Sequence, residues 1–274
     1  MDIPNKQGEI IEYSMYRVEK LKDRIFHIED RINNPSSMYC IIGSEKVLWI
    51  DAANTHTDDE EELTRIAKTL AGGKEIIVAI THNHYDHVGG LGAFKDKTIL
   101  FPLKDKDDQS ETFDFQFIED GYIIDLGDKQ LKAVEVPGHT PGSMAYIDAQ
   151  EELVITGDAI GSSYVWLFFM ENVLEYYKKG IHHLYNEIKN FHEPLFMCGH
   201  RWQQYPSIGR DPLSPLNDPM TMQYLLDMIK LVDMIEAKTA MTRPFETLGK
   251  PDEHCVYSFY GSKAEIDSFV SLMK

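Results

Sequence analysis

Short apolar runs broken by turn residues dominate the first half of the chain. They predict strands over Tyr16–Leu21 and Arg24–Ile28 around the turn pair Lys22-Asp23, and over Met38–Ile42 and Val47–Ile50 around Gly43-Ser44-Glu45-Lys46. From Asp58 to Leu70 the period changes. Leu63, Ile66 and Leu70 fall on one helical face, and Gly72-Gly73 ends it. Glu75–Ile80 is a short apolar run of the kind that makes a buried strand. Strand, helix and strand in that order predict an α/β crossover.

The second half repeats the style. Strands are predicted at Lys132–Val136, Ser143–Ile147 and Leu153–Thr156, with Pro137, Gly138, Pro141 and Gly142 breaking the chain between the first two. Glu171–Asn190 reads as a helix with Leu174, Tyr177, Ile181, Leu184 and Ile188 inward, and Pro194–Cys198 as one more strand. After about residue 203 the texture changes. Pro206, Pro212, Pro215 and Pro219 crowd a loop, followed by a methionine-rich helix over Met220–Ala237, a strand at His254–Tyr260 and a short helix at Lys263–Met273. This divides the chain into a main domain, residues 1–203, and a mostly helical C-terminal appendage, residues 204–274, open to a role as lid or as homodimer contact. The oligomeric state itself is not readable.

Composition narrows the function. At 274 residues, 43% hydrophobic and 26% charged, the chain is an ordinary globular one. Its 45 acidic against 27 basic residues give a formal charge of -18 and disfavour a nucleic-acid partner. No apolar stretch is long enough to span a membrane, the start lacks a signal-peptide pattern, and three scattered cysteines make no disulfide framework. The expected setting is the cytoplasm, and the expected partner a small-molecule substrate.

The chemistry is concentrated at Thr81-His82-Asn83-His84-Tyr85-Asp86-His87. His82 and His84 project to one side of an extended backbone. Asp86 and His87 then require the chain to turn, and Gly89-Gly90 permit it. Imidazole and carboxylate together suit a borderline metal such as zinc. Four such neighbours are hard to bring onto one ion, which makes two ions plausible. Asp51, at the end of a predicted strand, is a candidate partner for the far nitrogen of a ligand histidine. His27, His56, His182, His183, His192 and His254 have no ligand-like context, and Cys198 reads as a small buried residue.

The run His82-Asn83-His84-Tyr85-Asp86-His87 resembles the HxHxDH signature of the metallo-β-lactamase superfamily. Gly138-His139-Thr140-Pro141-Gly142-Ser143, Thr156-Gly157-Asp158 and Cys198-Gly199-His200 resemble, in order, that family's later ligand segments, and Leu48-Trp49-Ile50-Asp51 its strand ending in a supporting aspartate. The resemblance spans roughly residues 15–203 and implies an αββα sandwich. It assigns His82, His84 and His139 to a first ion and Asp86, His87 and His200 to a second, with Asp158 bridging. The ions are expected to be zinc, with iron or manganese as alternatives. They would activate a water, oriented by Asp86, for hydrolysis.

Asp158 resembles the thioesterases of the glyoxalase II type more than true β-lactamases. The aromatic run Ser162–Met170 and the methionine-rich helix, with Met222, Met228 and Met234, are candidates for a substrate pocket or for plain core. Tyr164, Trp166 and Arg201 are candidate substrate contacts. The expected substrate is a small, partly apolar ester, thioester or lactone. A mononuclear iron dioxygenase acting on a persulfide, a phosphodiesterase, and a binding protein without turnover are the alternatives.

Overall fold

The structure, a computed structural model, describes residues 2–31, 35–54, 60–107, 113–160, 165–200, 220–244 and 252–273. The chain divides into two compact units, Met1–Ala133 and Val134–Lys274.

The first unit is built on an eight-stranded sheet whose strands pair in chain order. β1 (Ile10–Glu12), β2 (Tyr16–Lys22), β3 (Ile25–Asp30), β4 (Ser37–Ile42) and β5 (Lys46–Ile50) form an antiparallel meander. The tight β2–β3 turn places Arg24 at φ 59. β6 (Glu75–Ala79), β7 (Thr98–Pro102) and β8 (Phe115–Ile118) continue the sheet in parallel. A parallel partner cannot be reached by a hairpin, so a helix, α1 (Glu60–Ala71), links β5 to β6. Glu60, Glu61 and Glu62 complement the positive end of α1, and Leu63, Ile66, Ala67 and Leu70 are its buried face. Gly72 and Gly73, at φ 58 and 89, end it as its sequence predicts. Trp49 and Phe94 meet in the core at 5.4 Å between ring centroids. β7 is a short apolar run and β8 alternates at Phe115, Gln116 and Phe117, and neither is among the strands expected above. β9 (Ile123–Asp125) forms a hairpin with the first half of β10 (Gln130–Glu135).

In the second unit, β11 (Met144–Asp148) and β12 (Leu153–Gly157) are antiparallel, and β14 (Leu195–Cys198) joins β12 in parallel after α3 (Val173–Ile188). Within this unit the sheet order is β14-β12-β11. A second sheet contains β13 (Val165–Leu167), β15 (Met241–Pro244), β16 (His254–Ser258) and β17 (Ile266–Phe269), in the order β13-β17-β16-β15. The helix expected over Lys263–Met273 is corrected here. Ile266–Phe269 is a strand, paired on both sides, and only Val270–Met273 turns as a 3-10 segment. Ile266, Phe269, Val270 and Met273 have helical spacing, but pairing between β13 and β16 overrides it.

α4 (Met222–Glu236) buries Leu225, Met228, Leu231, Val232 and Ile235 in the same cluster as Tyr177, Ile181, Leu184 and Ile188 of α3. Met228 is core, while Met222 and Met234 pack at its margin. The boundary expected at 203/204 lies outside the described residues.

Candidate functional site

In the first unit the donors follow β6. The chain leaves the sheet at Ile80, whose N–H donates to the Leu100 carbonyl at 3.0 Å. His82 and His84 come next, with ring centroids 4.8 Å apart and edge-on. The turn required after His84 is a single-turn helix, α2 (Tyr85–Val88), whose His87 and Val88 N–H groups donate to the His84 carbonyl at 2.8 and 3.1 Å. It brings the His87 ring to 4.2 Å from that of His82. Ligand atoms of His82 and His84, of His82 and His87, and of Asp86 and His87 lie within 4.8 Å of each other. Gly90 follows because its N–H reaches the Ala52 carbonyl at 3.1 Å, where a Cβ would stand 2.2 Å from that oxygen.

Asp51 holds these donors. It sits past the end of β5 at φ 60, a region an aspartate tolerates. Its Oδ1 accepts from the Thr81 N–H at 2.7 Å, and its Oδ2 accepts from the Thr81 hydroxyl at 2.8 Å and from His87 Nδ1 at 2.9 Å. The Thr81 hydroxyl has given its proton to Asp51, so it can only accept from His82 Nδ1, at 2.9 Å. One carboxylate therefore fixes two tautomers. His82 and His87 both carry the proton on Nδ1 and turn the Nε2 lone pair outward, the state a metal ligand needs. Asn83, between the ligands, is held by a partner the sequence did not suggest. Its N–H donates to Asp105 Oδ2 at 2.9 Å, and its side-chain amide donates to the Asp105 carbonyl at 3.1 Å and to Asp107 Oδ2 at 2.9 Å.

The second unit supplies His139, Asp158 and His200. Gly138 is at φ 148 with Tyr177 so close that a Cβ would meet its ring carbon at 2.5 Å. Thr140 and Ser143 close the turn through a 2.9 Å bond from the Thr140 N–H to the Ser143 hydroxyl. His139 Nδ1 donates to the Trp166 carbonyl at 3.0 Å, so its Nε2 carries the lone pair that a metal would take. That Nε2 lies 3.7 Å from Asp158 Oδ2, and His200 Nε2 lies 3.4 Å from the same oxygen. The first is too long for a hydrogen bond, and both spacings suit donors arranged around an ion. The Tyr177 hydroxyl donates to the Ala159 carbonyl at 2.8 Å and steadies the segment after Asp158. Cys198 is buried with its thiol on the His200 carbonyl at 3.1 Å.

Buried imidazoles and carboxylates, with three Nδ1 atoms engaged and Nε2 presented, fit divalent ions. Of the expected substrate contacts, Trp166 is half-buried and contributes its carbonyl to His139. Tyr164 and Arg201 lie outside the described residues, as does His56. His27 bonds Ser37 at 2.9 Å, and His254 packs between Phe168 and Phe269, so both are structural.

A family model described as the Metallo-beta-lactamase superfamily matches residues 32–168, half of the chain. The chain belongs to the metallo-β-lactamase superfamily. It is similar to the acyl-coenzyme A thioesterase MBLAC2 of Homo sapiens, 27% identical over 56% of this chain and 70% of that protein. It is also similar to the hydroxyacylglutathione hydrolase of Bartonella henselae, 27% identical over 63% of this chain and 65% of that one. Among solved structures it resembles a metallo-beta-lactamase from Pontibacter korlensis, with a TM-score of 0.59, 16% identity, and 80% and 99% of the two chains covered. The metallo-β-lactamase fold and a metallo-hydrolase activity follow. Superfamily members use divalent metals, and both units of this chain present His/Asp groups suited to them. Among the described residues no helix is long and apolar enough to cross a membrane.

Proposed function

We propose that this metallo-β-lactamase superfamily hydrolase cleaves a small, partly apolar thioester. His82, His84 and His139 would hold one ion and Asp86, His87 and His200 a second, with Asp158 shared. The observation that carries this reading is the tautomer control. Asp51, Thr81 and the Trp166 carbonyl each take an Nδ1 proton, so that three histidines present Nε2. When bound, two divalent ions, zinc in this reading with iron or manganese as alternatives, lower the pKa of a shared water and polarise the substrate oxygen. Asp86 is the catalytic carboxylate. It accepts a hydrogen bond from the attacking water and sets its direction toward the acyl carbon. Asp51 keeps His87 from rotating as charge shifts on the centre. Thioesters are favoured over lactones and other esters because one relative is named an acyl-coenzyme A thioesterase and another a hydroxyacylglutathione hydrolase.

The test is metal analysis by mass spectrometry joined to a panel of thioesters, esters, lactones and phosphodiesters, with oxygen consumption measured on a persulfide. Two ions per chain and thioester turnover are expected, with His84→Ala and Asp158→Ala losing metal and turnover together. Full turnover with one ion per chain rules out the dinuclear version. Oxygen uptake without hydrolysis replaces the reading with a dioxygenase.

A further inference from the structure

We propose that a groove within the second unit holds the unbranched alkyl chain of the substrate's acyl group, an inference that rests on the thioester reading above. The groove, open to solvent and about 880 Å³, is walled by Phe168, Phe169, Met170, Leu174, Phe269 and Leu272. Its volume is that of a small-molecule site. The wall is firm. The Phe168 ring lies against His254 at 4.3 Å and meets Phe269 edge-on at 5.3 Å, and His254 itself is buried. Phe169, by contrast, is 42% exposed. Its exposed ring is continuous with the apolar groove wall, and contiguous apolar surface of this kind is where ligand-binding grooves are found.

The position of the groove identifies its occupant. The Phe169 ring meets His139 edge-on at 5.9 Å, so the groove begins at a ligand histidine. The same short segment supplies the Trp166 carbonyl that orients His139 and the two phenylalanines that line the groove. A group leaving the acyl carbon near His139 in this direction meets the Phe169 ring first. Exposed Glu171 also lines the groove, and its charge disfavours an acyl chain ending in a second carboxylate, while Glu175 is paired with Lys179 at 2.6 Å. An uncharged alkyl chain meets both conditions.

Calorimetric titration of the metal-loaded protein with butyrate and decanoate tests this directly, since it needs no turnover. Each buried methylene strengthens binding by up to about fourfold, so decanoate should bind at least about tenfold more tightly than butyrate. Leu272→Trp, which fills the groove, should abolish that difference and leave butyrate binding unchanged. Met170→Trp serves the same purpose should the first variant not fold. Equal affinities for the two acids, or a chain-length preference that survives the filling variants, overturn the proposal. A parallel panel of butyryl and decanoyl thioesters keeps the two ideas apart. No hydrolysis of either defeats the thioester reading, while the titration still decides whether the groove takes an alkyl chain.

Discussion

Replacing Asp51 with asparagine isolates the electrostatic part of the centre. Asparagine keeps the shape and, like aspartate, tolerates the φ of 60 that this position requires. What it loses is one of two accepting oxygens. In the wild type three donors converge on the carboxylate, the Thr81 N–H at 2.7 Å, the Thr81 hydroxyl at 2.8 Å and His87 Nδ1 at 2.9 Å. With the amide nitrogen toward the Thr81 N–H, two donors face each other in a site only 1% exposed. With the nitrogen toward His87, the imidazole must give up its Nδ1 proton and carry it on Nε2, where it blocks ligation. Either arrangement leaves one buried donor unmet or one ligand in the wrong tautomer. The unmet donor costs about 1–3 kcal/mol of stability, and disturbing the partner of a ligand histidine costs about 10–100-fold in metal affinity. The assay is chelator competition for zinc, with thermal unfolding of the metal-free protein measured beside it. Metal affinity should fall more than metal-free stability accounts for. A folded Asp51→Asn protein with wild-type affinity would falsify the tautomer argument.

Two further substitutions probe other parts of the fold. Asp105→Ala removes the acceptor for the Asn83 N–H, so zinc affinity by the same competition should drop about tenfold while metal-free stability changes by about 1 kcal/mol; an unchanged affinity shows that the loop holds its shape without that bond. Met228→Ala opens a cavity in the α3–α4 core and should cost about 2–5 kcal/mol in denaturant unfolding; a loss under 1 kcal/mol means that α4 is not part of that core.

The donors were legible because each lies in a short motif beside a strand end, where residue type and spacing carry the information. The crossover through α1 was legible for the same reason, since Leu63, Ile66 and Leu70 report one helical face and Gly72-Gly73 its end. Asp51 was readable as a supporting carboxylate, although not as the group that sets two tautomers at once, because that depends on the Thr81 hydroxyl between it and His82. Asp105 was not readable. It meets Asn83 from 22 residues away, in a segment with no periodicity. Trp166 was expected as a substrate contact; its carbonyl on His139 was not foreseen, since every residue possesses one and no sequence pattern advertises it. The strand at Ile266–Phe269 was read as helix because its apolar spacing is helical, and only its neighbours decide.

Those neighbours also set a timetable. Ser268 donates to the Leu167 carbonyl at 2.6 Å across 101 positions of chain, and Trp166 is paired with Asp267. All donors and partners of the first unit lie between residues 51 and 107, so a growing chain can arrange them early. The carbonyl that holds His139 rides on β13, and β13 gains its only described neighbour in the sheet when residues 266–269 have been made. A nascent chain thus acquires its candidate metal-holding histidines in two instalments. The second waits for a strand synthesised about a hundred residues later, which makes correct metal uptake a late event in the maturation of the polypeptide.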